Sequence, residues 1–263
     1  MNIDVIRISI LTAYGNAYLQ GKKVSFDKNH PAAYNHRNIK FIQDIQEDHI
    51  KWNNYLADNP NEWFKYLKEN NYSRLYLSYS PSSNPQIKDH QGAAFVGGGS
   101  QWCIIAMKGD KCDVWSEKHQ AERGEQMIYF YLSSKDKDLP KIQNTPLDKV
   151  KLYLREILKD LVDFTIKSEL KNWQNVFQKS LLKLTVENED ELLDIELLPE
   201  NCFSLEAKQI LATCDKAWVF GGMGSWNDVV KVHNYDLYTR LTANLYDTIC
   251  KSIAAAINSY PEE

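Results

Sequence analysis

Apolar residues recur at three- and four-residue steps in some stretches of this chain and alternate with polar ones in others. That division sets the predicted elements. The clearest helix opens at Thr145, which suits the N-cap, with Pro146 at the first helical position and Asp148 at the third. Leu147, Val150, Leu154, Ile157, Leu158, Leu161 and Phe164 then mark one apolar stripe, so a helix is expected to about Leu170, with 173–184 continuing or restarting it. A closing helix is expected over about 234–259, where Leu237, Leu241, Leu245, Ile249 and Ile253 stand four residues apart. Shorter helices fit 61–69, with Trp63, Phe64 and Leu67 on one side, and 204–214. From about Pro31 to Leu56, the positions Ile39, Ile42, Ile45, His49, Trp52 and Leu56 also follow helical spacing, and a helix is expected there.

Strand patterns occupy the rest. The first 26 residues read as a β-hairpin, from the β-branched run Val5, Ile6, Ile8, Ile10 and Leu11, turn chemistry at 14–18 and 20–22, then Val24 and Phe26. Residues 72–132 look mainly β. Leu75, Leu77 and Tyr79 alternate with Tyr76 and Ser78, and short strands fit 95–96, 102–107, 112–115 and 127–132. Lys108-Gly109-Asp110-Lys111 is read as a hairpin turn, 81–85 as a loop and 216–220 as a further strand. The expected fold class is α+β. A mainly antiparallel sheet, drawn from 1–26 and 72–132, packs against the long amphipathic helices opening at Thr145 and Asn234. The chain is expected to be a single globular domain over 1–263. A seam is placed near 135–145, between a mainly β part with N-terminal helices (1–134) and a mainly helical part (145–263).

Composition narrows the function classes. A net charge of −4 argues against general nucleic-acid binding, which needs a basic excess. Cys103, Cys112, Cys202, Cys214 and Cys250 are widely spaced, and no CxxC pair occurs, so no zinc site is expected and all five are expected as free thiols. No basic n-region followed by an apolar run opens the chain, and no apolar stretch approaches the roughly 20 residues of a membrane helix. A bacterial cytoplasmic protein is expected, with no membrane association, no metal and no cofactor.

Two glycine clusters follow short apolar runs, and each reaches a tryptophan five residues after its first glycine. They are Gly97-Gly98-Gly99-Ser100-Gln101-Trp102 and Gly221-Gly222-Met223-Gly224-Ser225-Trp226-Asn227-Asp228. Neither has the spacing of a phosphate or dinucleotide loop. They read either as tight turns with packed tryptophans or as recognition loops. The recognition reading makes Trp226 the anchor, with Met223, Ser225, Asn227, Asp228 and Trp102 as contacts. The second candidate is acidic: Glu189, Asp190 and Glu191 lead to Asp194, Glu196 and Glu200, a surface suited to a basic partner or simply a solvated loop. Cys103 and His119 raise the question of a Cys–His pair, but Cys103 lies in an apolar run, so no catalytic residue is assigned. The expected function is protein binding, in the manner of an immunity protein that neutralises a bacterial toxin domain. The alternative is a small-molecule-binding protein or enzyme that uses the loops at 97–102 and 221–228.

Overall fold

The first apolar run folds as a helix, α1 (Ile3–Leu19), and not as the hairpin its β-branched residues predict. The computed structural model describes residues 1–263 except 25, 27–38, 48–49, 83–87, 94–98, 123–124, 143, 193–197 and 262–263; at 44–47, 50–53, 121–122 and 125–126 it describes the backbone alone. Every position of α1 from Arg7 to Ala17 is buried, so the apolar pattern covers all faces and shows neither period. Ser9 and Thr12 donate to the carbonyls of Val5 and Ile8, one turn back, and need no outside partner. Gly15, read as a turn residue, is instead a point of close approach: a Cβ there would meet Leu75 Cδ1 at 2.3 Å. Gly21, at φ +80°, closes the helix, with its own N–H and that of Lys22 bonded to the carbonyls of Tyr18 and Ala17.

The helix expected between Pro31 and Leu56 is a strand pair, β1 (Ile39–Glu47) and β2 (Ile50–Ala57); 31–38 lie outside the described residues. Ile39 and Phe41 face the main core while Ile42 joins a separate cluster with Met127 and Tyr129, so both faces are apolar and the two-residue alternation is masked. Next come α2 (Pro60–Glu69), β3 (Arg74–Ser80), the single turn α3 (Asp89–Gly92), β4 (Gln101–Lys108), β5 (Lys111–Glu122) and β6 (Glu125–Asp138). In α2, Trp63, Phe64 and Leu67 are buried, as the spacing predicts. Lys108 pairs with Lys111 about Gly109, which takes φ +63° and makes the expected turn. The described strands form one six-stranded sheet in the order β2-β1-β6-β5-β4-β3. Every adjacent pair is antiparallel except β1 and β6. The sheet thus comes from 39–57 and 74–138, not from 1–26, and is mixed.

Among the described residues five more helices join α1 and α2: α3 above, then α4 (Leu147–Lys167), α5 (Lys171–Lys183), α6 (Leu205–Lys216) and α7 (Tyr235–Asn258). The apolar stripe of α4 is buried from Val150 to Phe164 as predicted, but Pro146 occupies its N-cap without a side-chain bond, so the cap and the helix start each lie one residue later than expected from a cap at Thr145. Ser204 caps α6 and Asn234 caps α7 through bonds to Ala207 N and Leu237 N. α1 and α7 lie against the sheet at β3; α4, α5 and α6 pack on one another, and α4 and α6 also pack on α7. The strand expected at 216–220 is not one: Lys216 ends α6, and Trp218 to Phe220 pair with no strand.

The free side of β3 is closed by two asparagines. Asn16 of α1 accepts from Leu75 N at 2.7 Å and donates to Leu75 O at 2.9 Å. Asn258 of α7 treats Leu77 in the same way, at 2.7 and 2.9 Å. One buried cluster contains residues from both sides of 135–145, among them Phe41, Trp115, Phe130, Leu154, Phe177 and Ile253. All five cysteines are free thiols; Cys103 is half-buried and the other four are buried. No helix among the described residues is long and apolar enough to cross a membrane.

Candidate functional site

The loop at 221–228 is rooted in the core by Trp226. Its side chain is 0% exposed, among Phe164, Trp173, Phe177 and Tyr238. Its indole N–H donates to Thr242 Oγ1 at 2.8 Å. The exposed-anchor role expected of Trp226 is therefore corrected: a large aromatic ring gains more by filling this pocket than by standing in water. The residues around it complete a short 3-10 turn. Ser225 caps Asn227 N, and Asp228 accepts from Gly224 N at 2.6 Å, with Gly224 at φ +81°. Asn227 reaches back to α3: its Nδ2 donates to His90 O at 2.9 Å, and His90 Nδ1 lies 2.8 Å from its Oδ1. Because Oδ1 accepts, the His90 proton sits on Nδ1. Burial holds the His90 pKa below its ordinary value, although the Asn227 bond opposes this. Of the expected contacts on this loop, Met223 projects fully into solvent and Asp228 is also exposed; Val230 and Tyr235 stand out beyond them.

Within the first glycine cluster, Gly97 and Gly98 lie outside the described residues. Gly99 adopts φ +85°, and a Cβ there would meet Asp89 O at 2.9 Å and Tyr246 Oη at 3.0 Å. Ser100 Oγ donates to Tyr246 Oη at 2.9 Å, and Trp102 packs against Tyr79. Tyr246 also packs edge-on to Phe220, so α7 brings the two glycine segments together. Of the acidic stretch, Glu189, Asp190 and Glu191 form one exposed 3-10 turn; Asp194 and Glu196 lie outside the described residues. Lys208 pairs with Glu189, and Lys183 donates to the Glu191 carbonyl, so the chain answers part of this charge itself.

The most developed polar site is one that sequence reasoning did not assemble. A cleft of about 560 Å³ opens where β4 begins, lined by Asp4, Gln101, Trp102, Glu117, His119 and Tyr246 among others. Asp4 and Arg7, three apart on α1, face β5, where Glu117 and His119 stand two apart on one face. Arg7 is buried. Its Nη1 lies 2.9 Å from Asp4 Oδ1 and also contacts Glu117 Oε1. His119 Nε2 lies 2.8 Å from Glu117 Oε1 and 3.4 Å from Asp4 Oδ1. The contact with Glu117 is the shorter of the two. It is the main cause that holds the His119 pKa above its ordinary value, against the effect of burial.

A Cys103–His119 pair is not assembled. Cys103 pairs with Ser116, whereas Glu117 and His119 occupy alternate positions on the opposite face, with Trp115. Burial also pushes the Cys103 thiol up, away from the reactive thiolate. Asp4, Glu117 and His119 offer ligand atoms within 4.8 Å of one another, a spacing a metal ion could use. The guanidinium of Arg7, however, already sits against both carboxylates, where a cation would have to go. Comparison with protein-family models, curated proteins and solved structures gives no match.

Proposed function

We propose that this protein acts by binding a protein partner, and that the segment 221–235 meets it. One observation carries the reading. Met223, Val230 and Tyr235, at 103%, 80% and 63% exposure, stand on a segment rooted by the fully buried Trp226. Exposed apolar and aromatic side chains anchor interfaces, and a segment already held in shape loses little entropy on association. Within this class we favour an immunity protein, working in the bacterial cytoplasm, that neutralises a toxin by occupying it. That role asks for a stable scaffold and rigid anchors rather than for catalytic groups. The net charge of −4 and the exposed 189–191 turn would speed encounter with a basic partner.

The test is gel filtration with the product of the adjacent gene as the candidate toxin. The wild-type chain is expected to co-elute with it. Met223→Asp and Tyr235→Ala are each expected to weaken the complex by about 2 kcal/mol, with the melting temperature unchanged. Failure of the wild type to form a complex would sink the toxin reading. Undiminished binding by both variants would move the interface away from 221–235.

A further inference from the structure

We propose that the cleft where β4 begins binds a neutral, polyhydroxylated ligand, with a saccharide as the chemical class it fits. The inference is independent of the protein-binding surface, which lies on a different loop. The argument starts from charge balance. Two carboxylates, Asp4 and Glu117, face the cleft. Two cationic groups answer them: Arg7, and His119 when protonated. The raised pKa of His119 favours that protonated form.

The cluster is then close to neutral, and it discriminates against ions of both signs. An anion would meet two carboxylates. A metal ion or an ammonium group would have to displace the Arg7 guanidinium or the His119 proton. A hydroxylated ligand displaces neither. Glu117, held in place by the buried Arg7 at the cleft wall, is an acceptor that hydroxyl donors can approach, and bonds to ionised acceptors are the stronger kind.

The walls agree with this. Trp102 and Trp218, both half-buried, line the cleft and offer flat apolar surface to the C–H faces of a sugar ring, with the buried Tyr246 behind them. Gln101, Ser80 and Ser82 add short polar side chains around them. The volume, about 560 Å³, falls within the range of roughly 300–1,000 Å³ typical of small-molecule sites. Arg7 is held by both carboxylates and Tyr246 by Ser100, so the site is built before a ligand arrives.

The experiment uses the full chain and follows tryptophan fluorescence and heat of binding. The probes are methyl glucoside, N-acetylglucosamine, maltose and cellobiose, with arginine, zinc chloride and inorganic phosphate as the competing chemistries. At least one saccharide is expected to bind saturably. Gln101→Ala and Trp102→Leu are expected to weaken that binding about tenfold while keeping the wild-type melting temperature. Met223→Asp should leave saccharide binding untouched, which separates this site from the interface. No saturable binding by any of the four saccharides would overturn the proposal. So would saccharide binding indifferent to both cleft variants, or zinc binding that Glu117→Gln abolishes.

Discussion

At Trp226 the chain turns a large aromatic ring inward and satisfies its one polar atom with Thr242. At Arg7 it turns a full charge inward and answers it with Asp4 and Glu117, at the rim of a cleft. Both side chains are buried, yet they do different work. Around Trp226 the ring contacts are apolar and close the surface. Around Arg7 both partners line the open cleft. A polar or aromatic residue that interrupts a sequence pattern thus marks a place under constraint, and only its neighbours tell whether that constraint serves packing or chemistry.

The largest effect expected is at the packed site. Trp226→Ala should cost about 3–5 kcal/mol, since it empties a cavity lined by Phe164, Trp173, Phe177 and Tyr238. The loss should be the same at pH 5 and pH 8 in denaturant melts, because no titratable group is involved. Arg7→Met should cost about 3 kcal/mol, the low end for breaking a buried ion pair because Asp4 and Glu117 keep some solvent contact. A larger loss for Arg7→Met than for Trp226→Ala would erase the distinction between the sites.

The smallest effects should come from the two histidines, and their signs should oppose. The folded-state pKa of His119 is raised, so its stabilisation is full below the unfolded value of about 6.5 and is lost as pH rises through the folded value. The folded-state pKa of His90 is lowered, so stability is full above about 6.5 and is lost as pH falls through that value toward the folded one. His119→Gln should therefore flatten the alkaline side of the stability profile, and His90→Asn the acidic side. Parallel changes in both variants would mean that one of these environments is misassigned.

Much of this was legible in the residues. The helices α2, α4, α6 and α7 carry one-sided stripes and, in three cases, a cap, so spacing sufficed. α1 and the β1–β2 pair were not legible, because burial on all faces of the helix and apolar residues on both faces of β1 remove the period. That error had a second consequence. Asp4 and Arg7 pair at three residues' spacing on a helix, whereas on a strand they would point to opposite faces. Reading 1–26 as a hairpin therefore hid half the cleft. The signals were nonetheless present: an arginine inside the run Val5-Ile6-Arg7-Ile8, and Glu117 two residues from His119 in a strand. Trp226 failed in the other direction, since glycine-rich surroundings suggest exposure while the ring itself seeks the core.

The asparagine closure of β3 has a consequence for how the molecule opens and closes in time. Asn16 is 59 residues from Leu75, and Asn258 is 181 residues from Leu77. The first clamp forms only once α1 has docked on β3, and the second only once α7 has. Contacts that span so much chain are costly to close and belong late in folding. Interactions made after the transition state govern the unfolding rate more than the folding rate. The two side chains therefore act as a latch on the escape path. Once both helices have engaged, the outward N–H and C=O groups of Leu75 and Leu77 are no longer open to a neighbouring molecule that would start a shared sheet there.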